Sequence, residues 1–93
     1  MYRHLNKLYF NNELPDLEIV WEPSGDCMMV THTLGGEPTR ITVDPAIKGY
    51  NKIIKLYLCH EMIHVKYPKT HHGRKFDEEI QRLCAFKSYR ELL

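Results

Sequence analysis

Between Asn51 and Tyr67 the apolar residues Ile53, Ile54, Tyr57, Leu58, Met62, Ile63 and Val65 recur at helical spacing and cover most of a helix surface. Lys52, Lys55 and Lys66 leave only a narrow polar stripe. A helix this apolar must be buried by the remainder of a 93-residue chain, so it becomes the central element of whatever fold forms. Pro68 ends it, because the residue before a proline is pushed out of the α region. The length allows one domain, 1–93, with a core that buries roughly 60–70% of the surface exposed by the unfolded chain.

The segments on either side follow other rules. Tyr2–Phe10 places Leu5, Leu8 and Tyr9 at helical spacing, and Asn11-Asn12 supplies a stop because Asn tolerates the left-handed conformation. Leu17–Trp21, Cys27–Thr33 and Thr39–Val43 read as three strands, with turn chemistry at Pro23-Ser24-Gly25. Gly35-Gly36-Glu37-Pro38 makes the second and third strands a hairpin. Beyond the loop Lys69–Gly73, Phe76, Ile80, Leu83 and Cys84 form the stripe of a last helix, with Asp77, Glu78 and Glu79 near its positive N-terminal end. The order of helix, three strands and two helices predicts an α+β fold: an N-terminal helix, a small three-stranded antiparallel or mixed sheet, the central helix and a C-terminal helix. Trp21 reads as core, Met28-Met29 as core plus an exposed neighbour, and Phe86 and Tyr89 as packing for the last helix. His4 and His32 read as surface or strand-face histidines.

Composition narrows the class. A hydrophobic share of 43% and a charged share of 27% fit an ordinary globular chain and argue against disorder. No apolar run approaches the roughly 20 residues that span a bilayer, so no membrane partner is expected. Met1–Lys7 has no apolar core of the secretory kind, which predicts a chain that is not secreted: cytoplasmic, or nuclear if eukaryotic. Cys27, Cys59 and Cys84 form no C-x-x-C pair, and read as three reduced, mostly buried thiols. Charge is uneven: residues 1–47 carry a net −4 and residues 48–93 a net +5. That dipole either steers an anionic partner to the C-terminal half or gives two faces that attract each other.

The chemistry lies in His60-Glu61-Met62-Ile63-His64, an H-E-x-x-H on the central helix. Residues four apart on a helix share a face about 6 Å apart, so His60 and His64 can present ring nitrogens to one ion. Glu61 lies about 100° round the helix from His60, too far off axis to join a row of ligands but able to reach a water held by the metal. Its role in this pattern is therefore the general base. Shuffling this composition gives the motif about three times in a hundred, so the motif alone does not suffice. It gains weight from falling within a helix derived independently and from the histidines that follow. A catalytic zinc takes three protein ligands and an open position. His71 and His72 come after the break at Pro68, where the turned chain can return either to the metal, and Glu78 or Glu79 is the acidic alternative. The metzincin extension fails, because it needs Gly and His where this chain has Tyr67 and Thr70.

Leu8-Tyr-Phe-Asn-Asn-Glu-Leu-Pro15, the strand ending Ile19-Val-Trp21, the H-E-x-x-H helix and His72-Gly-Arg-Lys-Phe76 together resemble the SprT-like zinc metalloprotease family, whose eukaryotic branch includes the Spartan proteases of DNA–protein crosslinks. The resemblance covers nearly the whole chain. It implies a minimal zincin-like catalytic domain with one catalytic Zn2+, and a third ligand, His72, supplied by the family's H-G-x-x-F, which leaves His71 outside the ligand set. It also implies cleavage of peptide bonds by a metal-activated water, on proteins that include DNA-bound or DNA-crosslinked ones.

The expected reaction has zinc on His60, His64 and His72 and a proton taken by Glu61. Tyr67, His71 and Arg74 are candidates for oxyanion stabilisation. Lys66, Lys69, His71 and Arg74 are candidate contacts to a protein or peptide substrate or to DNA, and an extended substrate could add to an edge of the sheet. The chain is expected to act as a monomer. The alternative is a zinc-stabilised, non-catalytic nucleic-acid-binding or adaptor module, for which a base at Glu61 has no use.

Overall fold

The turn at Gly35-Gly36 sets the sheet. Both residues have positive φ, 61° and 84°, which is the two-residue hairpin conformation whose twist matches that of the flanking strands. The computed structural model describes residues 1–23, 25–69 and 73–93. Its elements run α1 (Tyr2–Tyr9), β1 (Glu18–Trp21), β2 (Met29–Leu34), β3 (Glu37–Val43), a 3-10 turn (Pro45–Ile47), α2 (Asn51–Lys66), α3 (Arg74–Cys84) and α4 (Lys87–Arg90). The fold is α+β, as the order of elements predicts.

The three strands lie in the order β1-β3-β2, and the sheet is mixed. β2 and β3 are antiparallel, with Met29 opposite Val43, while β1 runs parallel to β3, with Ile19 opposite Ile41. β3 starts at Glu37, two residues before the alternating run, and carries Pro38. Proline is tolerated there because Pro38 faces Thr33 beside a register shift, and β1 pairs only with Arg40 to Val43.

The core forms where α2 lies against β2 and where α1 and α3 close on α2. Ile41 and Val43 of β3, Leu5 of α1, Leu83 of α3 and Leu58, Cys59, Met62 and Ile63 of α2 are almost fully buried. Burial in these surroundings pushes the Cys59 thiol up to about 12. Asn11 and Asn12 both adopt positive φ, 56° and 60°, and end α1 as expected. The loop that follows is tied back by Asn6, a buried amide: its Nδ2 donates to the Leu14 carbonyl at 3.0 Å and its Oδ1 accepts from the Leu14 N–H at 3.2 Å.

Four readings from the sequence are corrected. Trp21 is not core: it is 45% exposed, and the Lys48 ammonium lies 5.1 Å from its ring centroid. The reason is topological, since β1 is the edge strand farthest from β2, the strand against which α2 packs. Cys27 is exposed, lying in the connection before β2. Ile53 and Tyr57 of α2 are exposed and leave its buried face narrower than its composition implies. The last helix breaks at Ala85-Phe86, where Phe86 becomes extended and sets its ring edge-on to Tyr9 at 5.0 Å. Tyr89 then packs on the same ring, and Ser88 Oγ lies 2.6 Å from the Tyr9 hydroxyl.

No helix among the described residues is long and apolar enough to cross a membrane.

Candidate metal centre

α2 forms because its apolar residues recur every three or four positions, and the same periodicity turns three polar residues toward one side. His60, Glu61 and His64 are half-buried there, and one ligand atom from each lies within 4.8 Å of the other two. Among the described residues this is the one group of three His, Cys, Asp or Glu able to hold a metal ion. The two imidazole rings are 5.6 Å apart, centroid to centroid. Phe76 of α3 lies against both, at 4.6 Å from His60 and 5.3 Å from His64, so the second helix supports both rings.

Glu61 is held differently from the histidines. Its Oε1 accepts from the backbone N–H of Thr31 at 3.1 Å and from the Thr31 hydroxyl at 2.9 Å. Thr31 lies in the middle of β2, an edge strand, so a main-chain donor at the sheet edge is spent on the carboxylate. Two donors on one oxygen fix the orientation of the group, and such charge-assisted bonds are stronger than neutral ones. The donor set suits a borderline metal: two imidazoles as ligands, with a carboxylate anchored beside them.

Of the residues named from the sequence as the third ligand, the acidic pair is occupied elsewhere. Glu79 is buried and paired with Lys66 at 2.5 Å and with Arg82 at 2.8 Å. Burial works against its charge, but the hydrogen bonds and charges of Arg82 and Lys66 outweigh it and hold the carboxyl below its usual 4.5. Glu78 is exposed and sits 3.3 Å from Arg74. His72 and His71 lie outside the described residues, as does Thr70.

The candidate substrate or DNA contacts separate into two kinds. Lys66 belongs to the Glu79 network and lies 5.5 Å from the Tyr67 ring centroid, so its charge is used inside the protein. Lys69 is exposed, and Arg74 is exposed with Glu78 as its partner. Arg82 completes the network by donating to the Tyr9 carbonyl at 2.6 Å, which links α3 to the end of α1. Part of the +5 of the second half is thereby neutralised within that half.

Beside the His–Glu–His group opens a pocket of about 290 Å³, lined by Cys27, Met28, Met29, Tyr57, His60 and Glu61. Neither this pocket nor Thr31 was evident in the linear sequence. Thr31 stands 30 residues before Glu61, and an alternating strand gives no sign of which residue will meet a distant carboxylate. The one available signal was the apolar Met28-Met29 pair at the start of a strand that had to cover an apolar helix. Compared with protein-family models, curated proteins and solved structures, the chain gives no match.

Proposed function

We propose that this chain is a zinc-dependent peptidase that cleaves peptide bonds with a metal-activated water. The observation that carries the reading is the anchored Glu61: a carboxylate one position from a histidine of the candidate metal group, with Oε1 held by both donors of Thr31. A purely structural site has no need for such a group.

His60 and His64 would hold the ion, with His72 as the proposed third ligand. A zinc ion there would supply Lewis-acid chemistry, activating water and polarising the scissile carbonyl. With Oε1 held by Thr31, Glu61 would keep its second oxygen, Oε2, available as the base for the attacking water. The same carboxyl returns the proton to the departing amine. Phe76, packed against both imidazoles, would hold them in place.

Purified chain loaded with one equivalent of zinc is expected to cleave an unfolded polypeptide, to stop when zinc is chelated, and to recover when zinc is restored. A chain that binds zinc tightly with four protein ligands and cleaves nothing would support the adaptor reading instead.

A further inference from the structure

The pocket beside the His–Glu–His group has two walls of different character. His60 and Glu61 form one wall, and Cys27, Met28, Met29 and Tyr57 form the rest. Met28 is 39% exposed and Tyr57 40% exposed, two large apolar side chains left facing solvent in a small domain. Both lie at the group proposed to carry out the chemistry. The pocket and the candidate metal group share His60 and Glu61, so a polypeptide whose carbonyl reaches His60 and His64 has this opening beside it.

We infer that the pocket receives an apolar side chain of the substrate, from a residue next to the bond being cleaved; this rests on the peptidase reading above. Volume and chemistry both favour a long apolar group. The lining is uncharged apart from Glu61, whose negative charge disfavours an acidic side chain, and whose Oε1 is already engaged by Thr31. Removing an apolar side chain from water against methionine and tyrosine gains free energy in proportion to the area covered. The two methionines are unbranched and adapt to ligand shape, so leucine, methionine and phenylalanine are all accommodated. Selectivity is therefore graded by apolar size and set against charge.

Two readouts test this, one independent of cleavage. In the first, zinc-loaded protein carrying 13C-methyl methionine is titrated with N-acetyl amides of leucine, phenylalanine, glycine and aspartate. The Met28 and Met29 methyl resonances are expected to shift saturably with the leucine and phenylalanine probes only, while Met62, fully buried, stays unmoved. Equal response to aspartate, or none to leucine, overturns the assignment. In the second, cleavage of a randomised peptide mixture is expected to favour Leu, Met or Phe over Asp at least tenfold at one position beside the cut. Met28→Lys is expected to erase that preference, and Tyr57→Trp, which fills the pocket without adding charge, to shift it toward smaller side chains. Cleavage with unchanged preference in both variants overturns the pocket alone. Absence of cleavage by zinc-loaded wild type, even with the methyl shifts intact, overturns the peptidase reading and the substrate assignment with it.

Discussion

Thr31 reaches Glu61 with two donors at once: its backbone N–H and its hydroxyl converge on the same oxygen, Oε1, at 3.1 and 2.9 Å. This ties the middle of an edge strand to the helix that carries the histidines. Thr31→Val removes the hydroxyl bond and keeps the shape. A hydrogen bond to a charged group is worth about 1.5–3 kcal/mol, so kcat is expected to fall about tenfold with zinc content unchanged. Thr31→Ser is expected to restore most of it. Equal kcat in the valine variant would show that the contact does not position the base.

Phe76 supports both histidine rings from α3. Phe76→Ala is expected to weaken zinc binding about tenfold, the scale seen when groups that orient metal ligands are removed. The half-buried ring also contributes stability, so a loss of about 2 kcal/mol in urea unfolding is expected. Phe76→Leu, which keeps the volume, separates the two effects: stability returns, while affinity stays reduced if ring stacking is what orients the imidazoles. Isothermal titration with zinc reads the affinity.

Glu79 is the buried carboxylate of the fold, and Lys66 and Arg82 are its partners. Its folded pKa lies below the unfolded value, so the stability it contributes is present above the ordinary carboxylate range and is lost as pH falls through the folded value. Glu79→Gln leaves two cations without their counter-charge, and is expected to cost about 3 kcal/mol near pH 7. The gap in Tm between wild type and variant should narrow as pH falls below the usual carboxylate value of 4.5 and on through the lower folded value. A gap independent of pH would contradict the assignment.

Asn6 satisfies both the N–H and the carbonyl of Leu14 from inside α1. Asn6→Ala leaves both groups without their partner in a buried place, and about 2 kcal/mol of stability should be lost. Denaturant unfolding monitored by Trp21 fluorescence measures it. A change under about 0.5 kcal/mol would mean that the loop before β1 rearranges to water at little cost.

The sequence made the secondary structure legible where periodicity was strong. The apolar repeat of α2, the stop at Pro68, the Asn11-Asn12 end of α1 and the Gly35-Gly36 turn all derive from local chemistry and appear in the fold. The placement of His60, Glu61 and His64 on one helix followed from spacing alone. What was not legible depends on residues distant in the chain. A large apolar tryptophan reads as core, but β1 is the sheet edge farthest from the strand that α2 covers, which leaves Trp21 exposed. Glu79, on the helix after the histidines, reads as an acidic alternative for the third ligand, whereas Lys66 and Arg82 claim it through packing of α3 on α2. Thr31 and the Met28–Tyr57 pocket arise only when β2 lies across α2, a long-range event that no local pattern encodes.

The most direct test compares wild type with Glu61→Gln, both loaded with one equivalent of zinc and shown to bind it equally, on an unfolded protein substrate. Cleavage by wild type is expected, with a loss of at least a hundredfold in the variant, the usual scale for removing a general base. Cleavage by Glu61→Gln at the wild-type rate would show that this carboxylate, fixed by Thr31, does not take the proton.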